Sequence, residues 1–117
     1  MQINFTARHF KAPDKLKKFS ENEISRLQKF YDGIIECDII LDFIASNHSK
    51  HIAEINLKVY GQVLSVSKTS DDMYKSIDLA VQKLERMLKK YKAHLRSFNR
   101  EKAGTIAVNR IPLYEDE

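Results

Sequence analysis

The 117-residue chain is 43% hydrophobic and 31% charged, the composition of one globular domain with a single core. It has no apolar run of about 18 residues, which excludes a membrane-spanning helix, and its single cysteine excludes an internal disulfide or a cysteine-built zinc cage. Twenty Lys and Arg against sixteen Asp and Glu leave a net charge of +4, an excess too modest to name a partner until its placement is known.

The N-terminal stretch MQINFTARHF lacks the apolar centre of a signal peptide, so a cytoplasmic location is expected. Within it Ile3, Phe5 and Ala7 alternate with Gln2, Asn4, Thr6 and Arg8, which predicts a half-buried strand. Pro13 suits a helix start, where its missing N–H costs nothing. From there Leu16, Phe19, Ile24, Leu27, Phe30 and Tyr31 recur at helical spacing until Asp32-Gly33 ends the element.

A second strand follows. Ile35, Cys37, Ile39, Leu41 and Phe43 alternate with Glu36, Asp38 and Asp42, and the polar run Ser46 to Lys50 reads as a loop. Ala53, Ile55, Leu57 and Val59 form a third alternating set, and Tyr60-Gly61-Gln62 turns the chain into Leu64 and Val66 of a hairpin partner. Ser70-Asp71-Asp72 then supplies side-chain caps and negative charge for a helix start. Ile77, Val81, Leu84, Leu88, Tyr91 and Leu95 step by four and three along one seam. After Phe98 the pattern stops.

The predicted order is β-α-β-β-β-α, an α+β domain with one four-stranded sheet and two helices packed on one face, like a double-stranded-RNA-binding fold. Residues 1–97 form this domain and 98–117 an extension with the acidic end Tyr114-Glu115-Asp116-Glu117.

Charge is segregated along this plan. On the last helix Lys75, Lys83, Arg86, Lys89 and Lys90 project away from the apolar seam, with Lys92, His94 and Arg96 on its flanks. Asp78 and Glu85 alone interrupt them. On the first helix Lys15, Lys18, Arg26 and Lys29 share one side, and two helices on one sheet face would gather these stripes into a positive groove. Any amphipathic helix must show polar groups to water, and lysine is a good helix former. Here, however, the acids gather elsewhere, at Glu36, Asp38, Asp42, Glu54 and the C-terminus. That separation favours a polyanion, with RNA phosphate foremost. Cations on one face position a backbone rather than read bases.

The element order, the segment Asp72-Met73-Tyr74-Lys75-Ser76-Ile77-Asp78 and the run from Lys83 to Lys92 resemble the ribosome hibernation promoting factor / ribosome-associated inhibitor A family. The likeness reaches back through Leu16, Phe19, Arg26, Leu27 and Phe30-Tyr31-Asp32 and covers about residues 1 to 96. It implies a non-enzymatic factor of stationary phase and stress. Such a factor binds the small ribosomal subunit across the mRNA channel and the A and P tRNA sites, contacts ribosomal RNA and neighbouring ribosomal proteins, and inactivates idle ribosomes. By position the resemblance implies RNA contacts at Arg26, Lys83, Arg86, Lys90 and Lys92, with Lys89 a local addition on the same face. Lys29 joins Arg26 on the first helix. Glu23 stands where the family commonly has lysine, which lowers the expected share of the first helix, and His94 stands where lysine is frequent.

The extension looks more like that of ribosome-associated inhibitor A, which holds ribosomes as inactive monomers, than like an appended dimerisation domain; an acidic solubilising tail is the other reading. The free protein is expected to be a monomer. Neither cofactor, metal nor small-molecule substrate is expected. His48 and His51 lack two further metal ligands at suitable spacing. Cys37 alternates with core residues, and strand alternation alone places Glu36, Asp38 and Asp42 on one face. Met73 and Tyr74 read as packing residues rather than a base-stacking platform. Two other functions fit the residues: a general structured-RNA-binding module, and a regulator whose basic face meets an acidic protein.

Overall fold

The alternations become one sheet. The computed structural model describes residues 1–102, with side chains through Leu95. The elements are β1 (Gln2–Arg8), α1 (Asp14–Ser25), a short 3-10 helix (Arg26–Lys29), β2 (Glu36–Ile44), β3 (Lys50–Val59), β4 (Gln62–Ser70) and α2 (Met73–Lys102). The sheet order is β1-β2-β3-β4. The first pair is parallel and the other two are antiparallel, as the helical crossover after β1 and the direct connections after it require.

Register sorts the side chains. Cys37 lies opposite Leu57, which lies opposite Leu64, and Ile39, Ile55 and Val66 form the next row. These six are buried together with Leu16, Ile24 and Leu27 of the first helical segment and Ile77, Val81, Leu84 and Leu88 of α2. Both helices therefore cover one sheet face, the architecture expected from the sequence. The other face carries Asn4, Glu36, Asp38, Asp42, Glu54, Asn56 and Lys58, with Asn4 donating to Glu36 and Asp38 at 2.6 and 2.7 Å.

Three local expectations are corrected. The first helix is not one α-helix through Tyr31: after Ser25 it tightens into the 3-10 turn. Ile24, Leu27 and Phe30 step by three, the spacing that lines one side of a 3-10 helix. Ile35, expected on the apolar face of β2, is 55% exposed, and Ile34 is buried in its place. Alternation holds only where the ladder does, and β2 begins at Glu36. Phe43 is half-buried at the sheet end, where its ring tilts against His51 at 5.0 Å.

The last helix runs through Lys102, past the end of its apolar seam. Residues 103–117, and with them most of the expected extension, lie outside the described residues. No helix among the described residues is long and apolar enough to cross a membrane.

Candidate RNA-binding face

The start of α2 is fixed by its polar residues. The Asp72 carboxylate accepts the Lys75 backbone N–H at 3.1 Å, a helix cap that also sets the rotational phase of the residues after it. Ser76, which the apolar pattern does not single out, is fully buried and donates to the His51 carbonyl at 2.6 Å. Its hydroxyl also meets that of Ser70 at 2.6 Å. This chain of hydroxyls ties the first turn of α2 to the ends of β3 and β4.

The two helices ascend side by side. Phe19 meets Tyr74 edge-on at 4.9 Å near one end. Toward the other, Tyr31 meets Tyr91 edge-on at 5.5 Å, and the Lys89 ammonium lies 5.4 Å from the centre of the Phe30 ring. The Lys92 ammonium donates to the Phe30 carbonyl oxygen. Tyr74 and Met73 are thus packing residues, Met73 being buried.

These contacts divide the seven candidate cations. Tyr74, Lys89 and Lys92 mark the side of α2 that faces the first helical segment. At about 100° per residue, Lys83, Arg86 and Lys90 point roughly 100–160° away from that side. They form a separate strip on the outer flank of α2, the helix that lies over β3 and β4. The shared groove expected from the sequence is therefore split. Lys89 and Lys92 meet the end of the first segment, where exposed Arg26 and Lys29 also sit, while Lys83, Arg86 and Lys90 occupy the far flank.

Their surroundings differ as well. Arg86 and Lys90 are exposed and Lys83 is half-buried. Lys89 is exposed and lies 4.0 Å from Glu85, a loose pair on a wet surface that adds little. Lys92 is half-buried and capped by a backbone carbonyl, which makes it a clamp between segments. Arg26 reaches back to Glu23 at 2.7 Å, so this acid occupies the nearest cation. Helical spacing already sets Glu23 and Arg26 three residues apart, but it cannot find the Lys92 partner, which depends on where the 3-10 turn ends.

Elsewhere the side chains point to support rather than chemistry. Burial pushes the Cys37 thiol up to about 12, with the Asp38 carboxylate adding to the effect, so its thiolate is scarce at neutral pH. The Tyr91 hydroxyl is held protonated by burial and by its hydroxyl neighbours, and it donates to the Tyr60 carbonyl at 2.7 Å. His9, in a left-handed backbone conformation at φ 64°, holds the Asp42 carboxylate at 2.8 Å. That hydrogen bond, foremost, keeps the Asp42 pKa below its ordinary value. Among the described residues, no group of three or more His, Cys, Asp or Glu could hold a metal ion.

Comparison with known proteins gives a consistent picture. The family described as Sigma 54 modulation protein / S30EA ribosomal protein matches residues 3–96. The ribosome hibernation promoting factor of Azotobacter vinelandii is 33% identical over 92 residues, 79% of this chain and 83% of that protein. The ribosome hibernation promotion factor of Bacillus subtilis is 26% identical over 104 residues, 89% of this chain, yet the match spans only 55% of that longer protein. Among solved structures, a ribosomal subunit interface protein from Coxiella burnetii superposes with a TM-score of 0.72 at 34% identity, over 80% of this chain and 99% of that one.

Proposed function

The chain belongs to the Sigma 54 modulation protein / S30EA ribosomal protein family, and from that premise we propose that it is a ribosome hibernation factor. In this reading it binds the small ribosomal subunit across the mRNA channel and the A and P tRNA sites, and silences idle ribosomes by occupying them. The single observation that carries the proposal is the strip Lys83, Arg86 and Lys90 on the outer flank of α2, with the carboxylates of Glu36, Asp38, Asp42 and Glu54 segregated to the opposite sheet face. A body with one cationic and one acidic side has a preferred orientation on an RNA surface, because phosphates attract the first and repel the second.

Inhibition needs no bond making in this reading. A domain wedged where mRNA and tRNA run excludes both by volume, and phosphate contacts supply its residence time. The active species is a cytoplasmic monomer when free, and its partners are ribosomal RNA and the ribosomal proteins beside it. The relatives named for ribosome hibernation support this reading. So does the neighbour described as a ribosomal subunit interface protein.

Competition tests it. Purified small subunits preloaded with the protein should lose their capacity for mRNA and for initiator tRNA, and excess tRNA plus mRNA should displace the protein in return. Simultaneous occupancy by protein, mRNA and tRNA would refute the proposed site. Binding to any folded RNA with equal affinity would favour a general structured-RNA-binding module instead.

A further inference from the structure

The β3–β4 hairpin displays an aromatic ring for which the fold has no use. Val59 pairs with Gln62, leaving Tyr60-Gly61 as a two-residue loop. Gly61 sits at φ 87°, a conformation that side-chain-bearing residues rarely adopt. Such loops ordinarily carry small polar residues. Here the first position is tyrosine, 75% exposed, more than Ile35, Ile44, Val63 or Tyr74, the other large exposed apolar residues among those described.

The backbone beneath that ring is held firmly. The carbonyl of Tyr60 accepts the hydroxyl of fully buried Tyr91 at 2.7 Å, and Tyr91 is in turn packed edge-on against Tyr31. The anchor uses only the main chain of Tyr60, so its side chain is free for another task. That hydrogen bond seats the tip of the hairpin against α2 at Tyr91. On α2, Lys90 directly precedes Tyr91 and His94 lies one turn beyond it. The tip is therefore continuous with the cationic outer flank.

We propose that Tyr60 is a base-stacking residue, taking one unpaired nucleotide of ribosomal RNA while the outer flank of α2 holds the adjoining phosphates. A flat ring on a rigid turn beside a line of cations is the arrangement that single-stranded RNA recognition uses: cations track the backbone, and an aromatic face receives a base. Because every base has a π-face, this contact adds affinity and register without strong sequence choice. A protein partner would be expected to seek Ile35 and Val63 instead, whose side chains lie exposed beside Lys58 and Glu36 at the same end of the sheet.

The inference rests on the ribosome-binding reading, and its test separates the two. Small-subunit affinity is measured for the full chain, for Tyr60→Ala and for Tyr60→Phe, across a range of salt. Tyr60→Ala should keep the thermal melt and weaken binding about five- to hundredfold. Its salt slope should be unchanged, because no phosphate contact is lost. Tyr60→Phe should bind like the unmodified protein. A photoreactive phenylalanine at position 60 should crosslink to ribosomal RNA. Full affinity in Tyr60→Ala, equal loss in Tyr60→Phe, or a crosslink to a ribosomal protein would each overturn the stacking role. A wild-type chain that fails to bind small subunits would overturn the underlying reading as well.

Discussion

The Lys92 ammonium is spent on the backbone carbonyl of Phe30, across 62 residues of sequence, at the point where the 3-10 turn has run out of amide donors. A helix C-terminus leaves carbonyls without intrahelical partners and concentrates negative partial charge, and a lysine supplies both the missing donor and the compensating charge. Lys92 thus fastens the second helix to the end of the first helical segment. It holds in register the aromatic pair Tyr31–Tyr91 and the Lys89–Phe30 contact.

Removing that ammonium should register as stability. Lys92→Met keeps the aliphatic stem and deletes the charged hydrogen bond, which should lower the unfolding free energy by about 1–3 kcal/mol. The salt slope of ribosome binding should stay close to that of the unmodified protein. Unchanged denaturant melts with a shallower salt slope would instead assign Lys92 to the phosphate contacts.

Glu23 and Arg26 offer a gain of affinity. Their pair is exposed on the arginine side, so it adds little to the fold, while it withholds one cation from any polyanion nearby. Glu23→Gln should tighten small-subunit binding about two- to fivefold, the equivalent of one surface ion pair, and Glu23→Lys should tighten it further. In an Arg26→Gln background most of the Glu23→Gln gain should vanish. An undiminished gain there would mean that Glu23 acts on RNA directly and not through Arg26.

The His9–Asp42 pair predicts a pH signature with a definite sign. The hydrogen bond from His9 lowers the carboxyl pKa of Asp42 in the folded protein. A depressed folded pKa stabilises the native state above the ordinary carboxylate value of about 3.9. That stabilisation is lost as pH falls through the lowered value. His9→Ala should return the Asp42 titration, followed by NMR at its carboxyl carbon, toward the ordinary position. An unmoved midpoint would show that some other group holds the carboxylate.

Much of the architecture was legible because it rests on periodicity. Cys37, Ile39, Ala53, Ile55, Leu57, Leu64 and Val66 are buried where alternation places them, and Ile77, Val81, Leu84 and Leu88 where helical stepping does. Local rules failed where a tertiary partner decides. Ile34 and Ile35 are adjacent isoleucines, and only the ladder's starting point at Glu36 determines which one turns inward. Ser76 is polar and interrupts no apolar pattern, yet it is fully buried because the His51 carbonyl awaits it. The candidate cations were legible as residue types. Their division into a clamp at Lys92 and an outer strip at Lys83, Arg86 and Lys90 was not, since it depends on which side of α2 the first segment packs.

That outer strip is the centre of the account, and charge reversal tests it most directly. Lys83, Arg86 and Lys90 should be changed together to Glu and small-subunit affinity measured against salt beside the unmodified protein. The wild type should lose affinity linearly in log–log form, with a slope of about 0.7–0.9 per phosphate contact. The triple variant, with an unaltered circular dichroism spectrum, should not bind at any salt concentration where the wild type does. A folded triple variant that binds with wild-type affinity and slope would contradict the assignment of this face to ribosomal RNA.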